Sequence, residues 1–345
     1  MKNILTKGAI LLTGSLLLAG SLFAKDEKTT LIVHHFMSAK APTHTKLLMP
    51  WAKKLEEQSH GKIKVEIYPS MTIGGKPNEL YKQVRDGSVD VAWTLAGYTP
   101  GVFPRTEVYE LPTVHKGDSL ATSIAIRENM DLIKEDFTDV MPLLIHVAAG
   151  NAIHTVDKKI EKVEDLKGLK LRTPSRTGAW LIEEYGAEPV GMPLPTLPQA
   201  LSKKALDGGL VPFEVFPAYK LHQLTKYSAE GVNKERFGTS VFMMLMNKDK
   251  FNNLSKELQD IILANSGMEL SKYAGNLFME IEEPGKKLQN ESGGEVIKIS
   301  EEDMKGFDAA GEKVVSKWID EANKNGIDGQ KLVNSAREAI SRNSK

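Results

Sequence analysis

QVRDGSVDVAW at residues 83–93 and SKKALDGGLVPF at residues 202–213 decide the fold. Each joins the end of a helical pattern, through glycine, to an apolar run rich in valine or leucine. Glycine closes helices, and an apolar run bounded by turn residues reads as a buried strand. Upstream of the first junction, LIVHHF (31–36) is β-rich, and LLMPWAKKLEEQ (47–58) places Leu48, Trp51, Ala52 and Leu55 at helical spacing. Pro50 makes that helix start near Met49 or bend there. KIKVEIYP (62–69) alternates charged residues with Ile63, Val65 and Ile67, a strand period, and PNELYKQVRDG (77–87) opens a helix on proline. The second junction closes the same series: LKLR (169–172) as strand, TGAWLIEEYG (177–186) as helix, EPVGMPL (188–194) as strand, LPQALSKKALDG (197–208) as helix and GLVPFEV (209–215) as strand. The expectation is an α/β chain with two βαβαβ units, each with a mostly parallel sheet flanked by helices.

Corresponding units put His34-His35-Phe36 and Arg172 at the carboxyl ends of their first strands. Ligands of open α/β sheets bind outside those ends, so two lobes facing each other would form a cleft with Arg172 in it. Arginine presents a planar, permanently charged fork that matches a carboxylate. The plainer reading, a surface arginine or one paired with an internal acid, stays open at this level.

The first residues carry Lys2 and Lys7, an uncharged apolar run and then small residues before a charged segment. That is the layout of a secretory signal peptide, with cleavage expected after Ala24. The chain has 45 basic and 45 acidic residues; removing 1–24 takes away two lysines and leaves a slight acidic excess. Nucleic acid is not an expected partner. Cysteine is absent, which excludes disulfides, thiolate metal sites and a lipid-anchored amino terminus.

LKGLKLRTP (166–174), EYGAEPVGMPL (184–194) and ALDGGLVPFE (205–214) resemble the binding proteins of tripartite ATP-independent periplasmic (TRAP) transporters. So do HGKIKVEIYPSMTIGG (60–75), ELYKQVRDGSVDVAW (79–93), FPRTEVYELP (103–112) and VFMMLMNKDKFNNLS (241–255), in family order. The resemblance implies a two-lobe periplasmic-binding-protein fold with hinge strands near Gly150 and Phe237 and a long bracing helix, for which 255–287 is the candidate. It implies lobes of 25–149 plus about 238–277, and 150–237 plus about 278–345. It further implies a periplasmic binder, expected as a monomer, that hands a small organic acid to the small and large TRAP membrane subunits. The family's carboxylate-holding arginine falls on Arg172. Val211 stands where the sialic-acid-binding branch has asparagine, and AGNAIH (149–154) lacks that branch's second arginine, His154 being the nearest polar residue. An apolar or aromatic monocarboxylate is therefore the expected ligand.

The other candidate ligand contacts are His35, Phe36, Trp93, Tyr98, His154, Phe213 and Glu214. Aromatic rings at 36, 93, 98 and 213 could wall an apolar ligand body, although core packing explains Trp93 equally well. Glu214 would repel a carboxylate unless paired or protonated; it either orients Arg172 or accepts from a ligand hydroxyl. Arg105 is expected to pair with Glu107 or Glu110. No cofactor or metal is expected: adjacent strand residues His34 and His35 point to opposite faces, with no carboxylate cluster nearby. A hydrolase lacks its motifs, since GTS at 238–240 is followed by Val241 and no HExxH occurs. A receptor for a signalling protein or an ATP-driven importer remains the alternative within the same fold.

Overall fold

A computed structural model describes residues 28–344; the expected leader and its cleavage site lie outside them. The strands are β1 (Thr29–His35), β2 (Ile63–Tyr68), β3 (Val91–Leu95), β4 (Val140–Val147), β5 (Ala152–Thr155), β6 (Lys170–Thr173), β7 (Glu188–Gly191), β8 (Gly208–Val211), β9 (Tyr227–Gly231), β10 (Val241–Asn247) and β11 (Glu295–Ile299). They form two sheets, ordered β2-β1-β3-β10-β4 and β11-β9-β5-β8-β6-β7. In the first, β1 lies parallel to both β2 and β3; in the second, β6 lies parallel to both β7 and β8. The two expected βαβαβ units are therefore present, with the same strand order. Each sheet then receives an antiparallel strand at the same place: β10 beside β3, and β5 beside β8.

The helix Met49–Gln58 carries Pro50 in its first turn, where a missing amide hydrogen does no harm, and buries Trp51, Ala52 and Leu55. In the second unit Ser175 caps the helix Arg176–Glu184, its Oγ accepting from the Gly178 amide at 3.2 Å.

The chain passes from the first sheet to the second at 148–151 and returns at 232–240, and the two passages run side by side. Asn151 N donates to Gly238 O at 2.9 Å, Phe237 N to Asn151 O at 3.0 Å, and Thr239 Oγ1 to Ala148 O at 3.0 Å. Gly150 sits there with φ +113°, and a side chain on it would meet Arg236 Cβ at 2.5 Å. Paired connectors of this kind let two lobes move as bodies about a short ladder.

The bracing segment differs from expectation. Instead of one helix over 255–287 there are three, Lys256–Ala264, Gly267–Glu280 and Glu282–Glu291. Asn265 stops the first: its Nδ2 donates to Ile261 O and its backbone oxygen accepts from Trp51 Nε1. Gly267 follows with φ +73°, and Pro284 in the first turn of the third helix favours a fresh start. The longest helix among the described residues is Glu301–Lys324, capped by Ser300 and burying Val314, Val315 and Trp318. It packs on Arg176–Glu184, whereas the last helix, Gly329–Asn343, packs on Ser119–Glu128. The stretch 278–345 thus divides its contacts between the two lobes.

Candidate ligand-binding site

Between the lobes lies a small cavity, walled by residues from the carboxyl ends of the parallel strands. Phe36 and Met37 follow β1, Leu95 ends β3, and Tyr98 lies just beyond it. From the opposite lobe come Arg172 on β6, Pro174 after it, Leu194 beyond β7, and Pro212, Glu214 and Val215 beyond β8. Ser240 and Phe242, from the returning connector and β10, complete the wall.

Arg172 is buried, 3% exposed. Its Nε donates to Met192 O at 3.0 Å and its Nη1 to Leu210 O at 3.1 Å, so two carbonyls fix the plane of the fork. Burial lowers its pKa, and the groups that oppose this are the side chains of Tyr98 and Tyr219 rather than an acid. A guanidinium remains charged even so. The result is a buried cation on a cavity wall, oriented by neutral groups and lacking a carboxylate partner among the described residues. Removing the counter-ion from a buried charge costs several kcal/mol, which makes an anionic guest the natural complement.

Aromatic rings supply much of the remaining wall. Phe36 stands 5.2 Å from Tyr98 and 5.3 Å from Trp93 between ring centres, and Trp93 stacks on Phe242 at 4.7 Å. Trp93 backs this wall without lining the cavity, and its Nε1 donates to His146 Nε2 at 3.3 Å. Tyr98 joins the lobes: its hydroxyl accepts from the Leu194 amide at 2.9 Å.

Of the nine residues singled out from sequence, the structure brings Phe36, Tyr98, Arg172 and Glu214 to this wall. His35 instead turns to His44, Nε2 to Nδ1 at 2.9 Å, and burial beside His44 and His34 drives its pKa down to about 3. His154 donates from Nε2 to Val211 O and accepts at Nδ1 from Ser228 Oγ, both at 2.8 Å. Phe213 packs edge-on against His154 and carries Arg236 and Lys286 over its ring, each at 5.5 Å. Val211 is buried in β8. Trp93, His35, His154, Val211 and Phe213 thus lie outside the residues that line the cavity. Glu214 does not orient Arg172, since that is done by the carbonyls of Met192 and Leu210. Sequence reading missed Leu194, Ser240 and Phe242; only knowledge of where the chain re-enters the first sheet could have found the last two.

The lobes touch around the cavity. Arg176 Nε donates to both oxygens of Glu107 at 2.8 and 3.0 Å, and its Nη1 reaches Glu321 at 2.8 Å. Glu107 is therefore taken by Arg176, and Arg105 pairs with Glu135 and Asp136 rather than with Glu107 or Glu110. Gly97 approaches so closely that a Cβ on it would lie 2.7 Å from Ser175 Cβ and 2.8 Å from Pro174 O. Gly97→Val should wedge the lobes apart, weakening ligand affinity about tenfold or more because the closed form is less populated. Small-angle scattering with saturating ligand should show a larger radius than wild type; equal radius and affinity would remove Gly97 from the closing surface.

Among the described residues no cluster of His, Asp or Glu could hold a metal ion, and no helix is long and apolar enough to cross a membrane. The family model for bacterial extracellular solute-binding protein, family 7, matches residues 33–321. A marine metagenome TRAP solute-binding protein described as specific for aromatic acid ligands, solved with 3-hydroxybenzoate, is 42% identical with a TM-score of 0.90, covering 92% of this chain and 99% of that one. A TRAP solute-binding protein from Rhodoferax ferrireducens T118, solved with copurified benzoate, is 36% identical with a TM-score of 0.89, covering 92% and 98%. The 2,3-diketo-L-gulonate-binding periplasmic protein YiaO of Escherichia coli is 25% identical over 271 residues, 77% of this chain and 80% of its own length.

Proposed function

The chain belongs to the bacterial extracellular solute-binding proteins of family 7, and from that premise we propose that it captures a small aromatic monocarboxylate between its lobes. The ligand's acid group pairs with Arg172, its ring lies against Phe36, Tyr98 and Phe242, and the closed complex delivers it to the two membrane subunits of a TRAP transporter. Export through the amino-terminal leader, with cleavage after Ala24, belongs to the same reading, as does the lobe division given above except that Gly329–Asn343 packs on the first lobe.

The observation that carries this is the buried Arg172 without an acid partner, in a cavity otherwise mostly apolar. The cavity offers few polar groups besides Arg172: the Tyr98 hydroxyl, the Glu214 carboxyl and the Ser240 hydroxyl. A sugar acid would bury several hydroxyls with too few partners, and each unsatisfied group costs about 1–3 kcal/mol. A single-ring acid needs only one strong polar contact and an apolar wall. The solved relatives that bind benzoate and 3-hydroxybenzoate support this choice of ligand class.

Calorimetric titration with benzoate, 3-hydroxybenzoate, methyl benzoate, benzamide and glucuronate tests the reading. Benzoate or its hydroxy derivative should bind, with the ester, the amide and the sugar acid at least a hundredfold weaker. Equal binding of acid and ester, or a best affinity for glucuronate, would overturn it.

A further inference from the structure

We propose that Glu214 reads a second polar group on the ligand, acting as a neutral carboxyl whose free oxygen accepts a hydrogen bond from a hydroxyl on the ring. This rests on the aromatic-acid reading above and adds to it a determinant of which acids are preferred.

Glu214 lies in the short turn Phe213–Val215, on the same cavity wall as Arg172, and is 3% exposed. Its carboxyl is hydrogen-bonded to that of Glu282, and its backbone amide donates to Glu282 Oε1 at 3.1 Å. Two buried carboxyls in contact cannot both be ionised, so one keeps a proton. The charge settles on Glu282, because Arg236 Nη2 lies 3.2 Å from its Oε2 and Lys286 also favours its ionised form. Glu214 then keeps the proton and donates it to Glu282.

That arrangement uses one oxygen of Glu214. The other, Oε2, is buried without a hydrogen-bond partner among the described residues. Being the carbonyl oxygen of a protonated acid, it is an acceptor only. A buried acceptor left unpaired is unfavourable, and on a cavity wall it is relieved by a ligand that brings a donor. Because Glu214 is neutral, it does not repel the carboxylate held at Arg172. The two residues therefore form a ruler: the acid group docks at Arg172, and ring hydroxyls in the position that meets Oε2 gain affinity.

The test compares benzoate with 2-, 3- and 4-hydroxybenzoate by calorimetry on wild type, Glu214→Gln and Glu214→Leu. In wild type one isomer should bind about tenfold more tightly than benzoate. Glutamine, whose amide can donate to Glu282 while its carbonyl faces the ligand, should retain that preference. Leucine should bring the preferred isomer to within about twofold of benzoate while benzoate itself still binds. Difference infrared spectroscopy on wild type gives a readout that does not depend on a folded leucine variant. A carboxylic-acid carbonyl difference signal should appear on binding the preferred isomer, not appear with benzoate, and be lost in Glu214→Gln. Equal affinity of wild type for benzoate and all three isomers, or a preference that survives in Glu214→Leu, overturns the proposal while leaving the aromatic-acid reading intact. Failure of all four acids to bind wild type defeats that reading instead.

Discussion

Arg172→Gln should leave a folded protein that binds benzoate roughly a hundred- to a thousandfold more weakly than wild type, from loss of a charge-assisted pair worth about 3–4 kcal/mol in a dry site. Glutamine keeps an amide donor for one of the two carbonyls that now hold the guanidinium, but it offers the ligand no charge. The same substitution should not lower the stability of the empty protein greatly. The buried guanidinium has no acid partner among the described residues, so removing it relieves a desolvation penalty that offsets the lost hydrogen bonds to Met192 and Leu210. Thermal melts would therefore show an empty-state midpoint within a few degrees of wild type and no upward shift with benzoate. An Arg172→Gln protein that still gains stability from benzoate as wild type does would place the anion elsewhere.

The second large effect is a stability profile with a steep acid limb. His115, His146 and His154 are fully enclosed, and burial holds their pKa values at about 4, 3 and 3; His35 joins them at about 3. Each is neutral in the folded protein and has its donor and acceptor committed or walled off. His115, for example, accepts from Thr122 Oγ1 at 3.0 Å and donates to Ala149 O at 3.2 Å. Unfolding returns these rings to a pKa near 6.5, so at acid pH the unfolded chain binds more protons and stability falls with pH.

Buried carboxyls act in the opposite sense. Burial, with Glu107 adding to it, raises Glu110 to about 8, and Glu214 and Glu282 are also raised. Between about pH 4.5 and 6.5 the two sets oppose each other. Below about pH 4.5 these raised carboxyls are protonated in both states, and the histidines are joined by Glu230, whose pKa, despite burial, Arg236 and its lysine neighbours hold below the usual carboxylate range. Each costs about 1.4 kcal/mol per pH unit until its folded-state pKa is reached, so the slope is greatest just below pH 4.5 and eases as His115 protonates near pH 4. Above about pH 6.5 the histidines are neutral in both states, and the protonated carboxyls make stability decline up to about pH 8. Melts from pH 3 to 8.5 should show a plateau at mildly acid pH, collapse below about 4.5 and a gentler alkaline decline that Glu110→Gln reduces. A flat profile down to pH 3 would contradict the buried neutral histidines.

The two parallel units were legible because their signals are local: alternation at 62–69, helical spacing at 48–55, and glycines closing the helices. The place of Arg172 on the cavity wall was legible for a related reason, since a strand end at a fixed place in a repeated unit has a predictable direction. What sequence did not reveal depends on distant partners. The antiparallel β5 and β10 carry no mark of which sheet they join, and with β10 went Ser240 and Phe242. His35 looked like a ligand contact because His44, nine residues on, could not be known to take its Nε2. Arg105 and Glu107 are close in sequence, yet each found a partner elsewhere, in Glu135 and Asp136 for one and Arg176 for the other. The bracing helix over 255–287 failed for want of weight on Asn265 and Pro284, which break it.

A crystal structure of the protein with benzoate tests the central claim most directly. The account predicts the carboxylate within hydrogen-bonding distance of the Arg172 guanidinium, between the lobes, with the ring against Phe36 and Phe242. A benzoate bound elsewhere, with no contact between its carboxylate and the Arg172 guanidinium, would contradict it.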